Sequence, residues 1–287
     1  MTQLIDGGLS TELEGLGVVF DGPLWTARAL LDDPAQIVQA HRNFVAAGAK
    51  VVITSSYQIS RSGFEAAGLS ASAADAALVA SVAAAREAVG ESKALVAASI
   101  GPYGATLHDG SEYRGNYGVS EDFLFEFHRA RIEILAAARP DILLAETIPD
   151  LTEARALARA LADAKLPVWV SFTTSDASHL CSGENITDAI AAVNSISTLA
   201  VIGFNCVKPE FVADLANLAK TVTSAGIAAY PNHGGSWNAE LGQWNSPETS
   251  SLADFWPAWS ALDLAFVGGC CGVDAKEIHE LGKQLLK

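Results

Sequence analysis

The sequence predicts an α/β fold, a single (β/α)8 barrel spanning residues 1–287. Three observations carry this. Short apolar runs alternate with longer amphipathic, Ala-rich stretches along the whole chain, which implies parallel strands joined by crossover helices. The count is eight of each in 287 residues, the number that closes a barrel. The first strand is followed by Gly7-Gly8-Leu9-Ser10-Thr11, which lacks the Gly-x-Gly-x-x-Gly spacing of an open, dinucleotide-binding sheet.

The expected strands are, in order, Leu4–Ile5, Lys50–Thr54, Leu95–Ser99, Ile142–Ala145, Val168–Phe172, Leu199–Phe204, Ile227–Tyr230 and Leu264–Val267. Each is a short β-branched or Leu-rich run, as strands buried on both faces require. The intervening helices are expected at Pro34–Ala47, Ala71–Val89, Glu121–Ala138, Leu151–Ala164, Ile186–Ser195, Glu210–Ala225 and Ser250–Ala261, with a last one over Asp274–Leu286. Their Ala and Leu residues recur near the helical period, and Pro149, Pro209 and Pro247 sit where helices begin. Only Gly101–Val119 and Asn232–Thr249 lack a regular pattern, and long loops inside compact domains are usually functional.

Composition narrows the function classes. Half the residues are hydrophobic and 18% are charged, enough for a large core. A net charge of −15 with no basic cluster excludes a nucleic-acid footprint. No stretch reaches the ~18 uninterrupted apolar residues of a membrane span, because Asp75, Arg86 and Glu87 break the Ala-rich segment. The N-terminus has neither a basic region nor an apolar core of a signal peptide, and four cysteines are too few for a disulfide scaffold. A cytoplasmic protein with free thiols is expected. Oligomeric state is not legible.

In a barrel, reactive residues belong where strands end and loops begin. Those positions hold Asp6-Gly7-Gly8, Ser55-Ser56-Tyr57, Gly101-Pro102, Glu146-Thr147, Thr173, Asn205-Cys206, Asn232 and Gly268-Gly269-Cys270-Cys271. Adjacent cysteines on a glycine turn do not readily bridge each other, yet both can face one metal ion. With Cys206 they make three protein ligands, which leaves a tetrahedral zinc one open position, the pattern of a catalytic site. Zn²⁺ suits three thiolates because it is borderline-soft. The resulting centre carries net charge −1. It is a poor Lewis acid for carbonyls and is better suited to holding a substrate sulfur as a thiolate. The implied chemistry is attack of that sulfur on an activated alkyl carbon. A buried cysteine can equally be a small hydrophobe, the role assigned to Cys181.

Asp6 and Glu146 end the first and fourth strands. The pair could hold a substrate ammonium or serve as acid and base in a metal-free lyase or isomerase. In a purely structural reading Asp6 starts a turn and Glu146 caps the helix after Pro149. Backbone N–H groups around Gly7 are free to bind a carboxylate. Trp25, Trp237 and Trp244 lie near the mouth, where an aromatic face would accept a cationic sulfonium. His41 and His128 fall on helices and read as structural; His233 lies in a loop with no evident carboxylate partner.

These segments resemble the zinc-dependent homocysteine S-methyltransferase family, which includes betaine–homocysteine methyltransferase and one module of methionine synthase. The resemblance rests on Asp6-Gly7-Gly8-Leu9-Ser10-Thr11-Glu12-Leu13, Pro23-Leu24-Trp25, Ile53-Thr54-Ser55-Ser56-Tyr57-Gln58, Ser99 to Ala105, Asp109 to Tyr113, Glu146-Thr147-Ile148-Pro149, Gly203-Phe204-Asn205-Cys206, Pro231-Asn232 and Gly268-Gly269-Cys270-Cys271-Gly272. It implies that the chain is one homocysteine-binding barrel domain. Cys206, Cys270 and Cys271 would bind Zn²⁺ and activate the substrate thiolate. Asp6 and Glu146 would hold the homocysteine amino group, with Gly7 and Ser55 near its carboxylate; Trp25 and Asn232 complete the substrate-binding set. The expected reaction is methyl transfer from S-methylmethionine or S-adenosylmethionine to homocysteine, giving methionine. Another thiol or a selenol is the alternative acceptor. The family commonly has a small residue, Gly and then Glu after Pro-Asn; His233-Gly234-Gly235 lacks that acid, a change on the methyl-donor side.

Overall fold

The structure, a computed structural model, describes residues 1–20, 22, 24–233, 237–238, 243–244 and 251–286, with 237–238 and 243–244 described as backbone only. Eight parallel strands form the barrel: β1 (Gln3–Leu4), β2 (Val51–Ile53), β3 (Leu95–Ile100), β4 (Ile142–Ile148), β5 (Val168–Phe172), β6 (Leu199–Asn205), β7 (Gly226–Tyr230) and β10 (Phe266–Val267). Consecutive strands pair from β2 through β7, then β10 joins β7 to β1. Between β1 and β2 the circle is completed by a parallel bridge, Ile5 with Val51, and by Lys50 N–H on the Leu4 carbonyl at 2.8 Å and Asp6 N–H on the Val51 carbonyl at 3.1 Å. A two-residue pair, β8 (Trp237–Asn238) with β9 (Gln243–Trp244), lies in the connection before the last barrel strand.

Alternation along each strand sorts side chains between two cores. Ile5, Val51, Ala97, Ile142, Leu144, Trp169, Val201 and Ala228 point inward and form one buried cluster. The Trp169 ring packs on Phe266 with centroids 4.4 Å apart. Leu143, Ala145, Val170, Phe172, Ile202, Phe204, Ile227 and Ala229 point outward under the helices. The same parity sends Glu146, two residues beyond Leu144, into the barrel at its C-terminal mouth.

The outer helices start where capping side chains stand. Pro34 opens α3 (Pro34–Ala47), and Ser70, Ser120, Asp150 and Asp274 accept backbone N–H groups at the starts of α5 (Ala71–Val89), α6 (Glu121–Ala137), α7 (Leu151–Ala160) and α11 (Ala275–Leu285). The cap of α7 is thus Asp150 and not Glu146. The expected one-to-one alternation is incomplete. Three further short helices, α1 (Leu9–Gly15), α2 (Trp25–Asp32) and α4 (Arg61–Ala66), occupy the first two strand-to-helix connections. The connection over residues 101–119 is also ordered, with tight turns at Tyr103–Thr106 and Ser111–Tyr113. A buried Glu153 pins it, accepting from Tyr103 N–H (2.6 Å) and the Tyr117 hydroxyl (3.0 Å) and meeting His128 Nε2 at 2.8 Å. Among the described residues no helix is long and apolar enough to cross a membrane.

Candidate metal centre and substrate cavity

Two strand-end loops bring the three thiols together. Cys206 follows β6 with a left-handed backbone (φ 51°), which turns its side chain back over the barrel mouth. Cys270 and Cys271 follow β10 on a loop held by Cys270 N–H on the Pro231 carbonyl (2.8 Å) and His233 N–H on the Cys271 carbonyl (3.0 Å). A Cβ at position 8 would stand 2.5 Å from the Cys270 carbonyl oxygen, so Gly8 is what lets the β1 loop lie against the thiol loop. Cys271 Sγ is 4.0 Å from both Cys206 Sγ and Cys270 Sγ, and all three sulfurs lie within 4.8 Å of one another. Four sulfurs at about 2.3 Å from one tetrahedral zinc stand about 3.8 Å apart, so the trio fits one such ion with little movement. Cys271 is held well below the usual thiol range by hydrogen bonds from Cys206 and Cys270, with a further one from Tyr113. Cys206 is pushed well up, chiefly by its hydrogen bonds to the other two sulfurs and then by burial.

Under the thiols runs a belt of inward-facing polar side chains at the strand ends. Ser99 on β3 donates to Glu146 Oε1, and the Tyr230 hydroxyl stands 3.4 Å from Glu146 Oε2. Ser171 donates to Asn205 Oδ1 at 2.7 Å, and Asn205 Nδ2 donates to Thr147 Oγ1 at 2.7 Å and approaches Cys270 Sγ at 3.9 Å. Asp6 Oδ2 accepts the Ile53 N–H at 2.7 Å, extending the β1–β2 ladder through a side chain, while its Oδ1 is buried without a partner. Burial pushes the Glu146 carboxyl up to about 8, the Ser99 hydrogen bond opposing and the Cys270 charge reinforcing this. Burial raises Asp6 well above its ordinary value too, with Glu146 adding to the effect.

Above this belt lies a cavity of about 130 Å³ whose walls include Gly7, Ser55, Glu146 and all three cysteines. Trp25, at the start of α2, and Tyr57, Glu112 and Tyr113 complete its outer wall. No Lys, Arg or His is among the described lining residues, so the interior favours cations. Ser55 Oγ is buried and unpartnered. Asp6 sits one layer behind the wall. Asn232 does not line the cavity; it is buried beside the thiol loop, its N–H on the Val207 carbonyl at 3.1 Å. His233 has a carboxylate partner after all, Glu277 on α11 at 3.4 Å. The side chains of Trp237 and Trp244, and residues 234–236 and Pro247, lie outside the described residues. The Cys181 thiol donates to Thr173 Oγ1 at 3.9 Å and is not one of the clustered sulfurs, and burial pushes it up to about 11.

The buried carboxyl at 146 has a measurable consequence. Its folded value of about 8 exceeds an unfolded value near 4.5, so the folded state keeps a proton that the unfolded chain releases. Stability is therefore lost as pH rises through this window. Between pH 6.5 and 8 the metal-free wild type is expected to lose roughly 1–2 kcal/mol relative to Glu146→Gln. Paired urea titrations at the two pH values check this; an unchanged difference would mean the carboxyl is not proton-bearing in the fold.

Comparison with known proteins agrees with this geometry. A family model described as homocysteine S-methyltransferase matches residues 3–285. The maize (Zea mays) homocysteine S-methyltransferase 1 is 38% identical, covering 98% of this chain and 94% of its own. A selenocysteine Se-methyltransferase of Brassica oleracea is 36% identical over 99% of this chain and 88% of its own. The crystal structure of the homocysteine methyltransferase MmuM from Escherichia coli in its metallated form superposes with a TM-score of 0.88 at 35% identity, covering 99% and 96% of the two chains.

Proposed function

The chain belongs to the homocysteine S-methyltransferase family, and from that premise we propose that it transfers a methyl group from a sulfonium donor to homocysteine, forming methionine, at a zinc ion held by Cys206, Cys270 and Cys271. The observation that carries the proposal is the convergence of three sulfurs within 4.8 Å at the floor of a cation-favouring cavity. Cys206, Cys270 and Cys271 would hold the zinc, which would supply the charge that keeps a substrate thiol deprotonated at neutral pH.

The protein's own groups do the rest. Glu146, with Asp6 Oδ1 behind it, receives the homocysteine ammonium. Ser55 Oγ and the backbone at Gly7 receive its carboxylate. Asn205 keeps Cys270 and Thr147 in register. Trp25 and the tyrosines exclude water and offer aromatic faces to the donor cation. In the transfer, the homocysteine sulfur lone pair forms the new S–CH₃ bond while the donor's C–S pair returns to its sulfur. A negative thiolate and a positive sulfonium become two neutral sulfides. No general base is needed at the methyl step, because the thiol proton is already gone.

The test is elemental analysis of the pure full-length protein together with methionine formation from homocysteine and either S-methylmethionine or S-adenosylmethionine. About one zinc per chain and zinc-dependent methionine are expected; full turnover after exhaustive chelation would sink the proposal and favour Asp6 and Glu146 as a metal-free acid–base pair. Similarity to the Brassica selenocysteine Se-methyltransferase favours one second reading, a selenol acceptor at the same site. Competition between homocysteine and selenocysteine separates the two. A cytoplasmic location fits free thiols and a zinc–thiolate site.

A further inference from the structure

A second carboxylate lines the cavity beside Glu146 and has no assigned task. Glu112 lies in the Ser111–Tyr113 turn, is 9% exposed, lines the cavity, and its Oε2 has no hydrogen-bond partner. The charges nearby are engaged elsewhere: Arg114 Nη1 donates to the Asp109 carbonyl (2.8 Å) and its Nη2 to Asp109 Oδ2 (3.2 Å). The turn is fixed in place. A Cβ at position 104 would stand 2.6 Å from Glu112 N, so Gly104 permits this close packing, and Tyr113 next door hydrogen-bonds toward Cys271. Burial pushes the Glu112 carboxyl up to about 7, so a cation placed beside it would favour its ionised form.

The reaction geometry decides which substrate this group meets. In-line transfer places the donor sulfur beyond the methyl carbon, on the side away from the acceptor sulfur. Glu146 and Asp6 both feel the Cys270 charge and belong to the acceptor side. Glu112 instead feels the charges of Asp109 and Arg114, with none of the three thiols among the groups acting on it. An unpartnered carboxylate oxygen calls for an N–H donor, which a sulfonium centre lacks and an ammonium provides. We infer that Glu112 binds the α-ammonium of a sulfonium amino-acid donor, four bonds from the donor sulfur, and that the 111–113 turn is the donor-recognition element. The inference rests on the methyl-transfer reading above.

The experiment is steady-state kinetics of the zinc-supplied full-length protein and of Glu112→Gln, with S-methylmethionine and with its deamino analogue, 4-(dimethylsulfonio)butyrate. Loss of a charge-assisted hydrogen bond is expected to raise KM for S-methylmethionine about 10–100-fold. The KM for homocysteine should stay within about threefold, and the deamino analogue should not distinguish the two proteins. Calorimetric titration of S-methylmethionine should show the same weakening. Equal losses with both donors, a shift confined to homocysteine, or no shift would each overturn the inference while leaving methyl transfer intact. A wild type that makes no methionine from any sulfonium donor overturns the methyl-transfer reading, and this inference with it. Should Glu112→Gln fail to fold, Glu112→Asp carries the test: it keeps the charge, retracts it by one methylene, and should raise KM for the amino donor alone by a smaller factor.

Discussion

Cys270→Ser is expected to lose metal and methionine formation together, with zinc affinity down by more than about 100-fold and turnover below roughly 1% of wild type. The estimate exceeds the ~10–100-fold typical of outer-shell changes because a ligand itself is removed. A serine hydroxyl does not ionise at neutral pH and offers a hard oxygen where a soft sulfur is required. The remaining sulfurs of Cys206 and Cys271, 4.0 Å apart, then supply two ligands only. The fold should survive, since Cys270 is half-buried and its loop is held by backbone bonds to Pro231 and Val273. Unchanged far-UV circular dichroism beside zinc analysis would establish that. Cys181→Ser is the matched control: its thiol meets only Thr173, so metal and activity should both persist. Stoichiometric zinc in Cys270→Ser would remove the basis of the metal site.

The same cysteines mark how much of the molecule could be read before any coordinates. Seven of the eight barrel strands fall within a residue or two of their expected places, and β4 runs three residues past its expected end at Ala145, because strands buried on both faces are continuous apolar runs. Helices α3 and α5 match their expected bounds to the residue, and the structure shows them bounded by Pro34 and Gly48 and by Ser70 and Gly90. The short helices α1 and α2 were not. Neither has a side-chain cap, and α1 buries Leu13 alone, so periodicity had nothing to register. Helix α7 stops at Ala160 although Ala-rich sequence runs to Ala164 and Leu161 and Ala164 still pack on the core, so neither composition nor burial marked its end.

At the site, residue type and strand-end position sufficed for the thiols and for Glu146. The belt of Ser99, Ser171 and Tyr230 escaped notice, yet the signal was present. Counting by twos from Ile142 and Leu144, or from Trp169, lands on Glu146 and Ser171 inside the barrel. Glu112 had no such signal, because its direction depends on an irregular turn, held by Asp109 accepting from Ser111 and packed against Gly104, and not on strand parity. Asn232 illustrates the converse: a polar residue at a strand end that is not among the cavity-lining residues, while its neighbours Pro231 and His233 make the backbone bonds to the thiol loop.

Glu146→Gln is expected to raise KM for homocysteine about 30–100-fold, with kcat falling by a smaller factor. The carboxylate sits on the cavity wall, and neutralising it removes one charge-assisted hydrogen bond to the ammonium, worth roughly 2–3 kcal/mol. Glutamine is close in shape, and its amide can still accept from Ser99 and meet Tyr230, so the belt need not rearrange. Asp6→Asn should act in the same direction through Oδ1, the oxygen left without a partner, while the amide oxygen continues to accept the Ile53 N–H. Because the two carboxyls act on each other, the double variant should lose less than the product of the single losses. Three controls define the result. Zinc content should be unchanged in both variants, KM for the sulfonium donor should move little, and a homocysteine analogue lacking the amino group should bind wild type and variants alike. If the donor's KM rises instead, the ammonium held at Glu146 belongs to the donor, and the two substrates lie in the cavity the other way round.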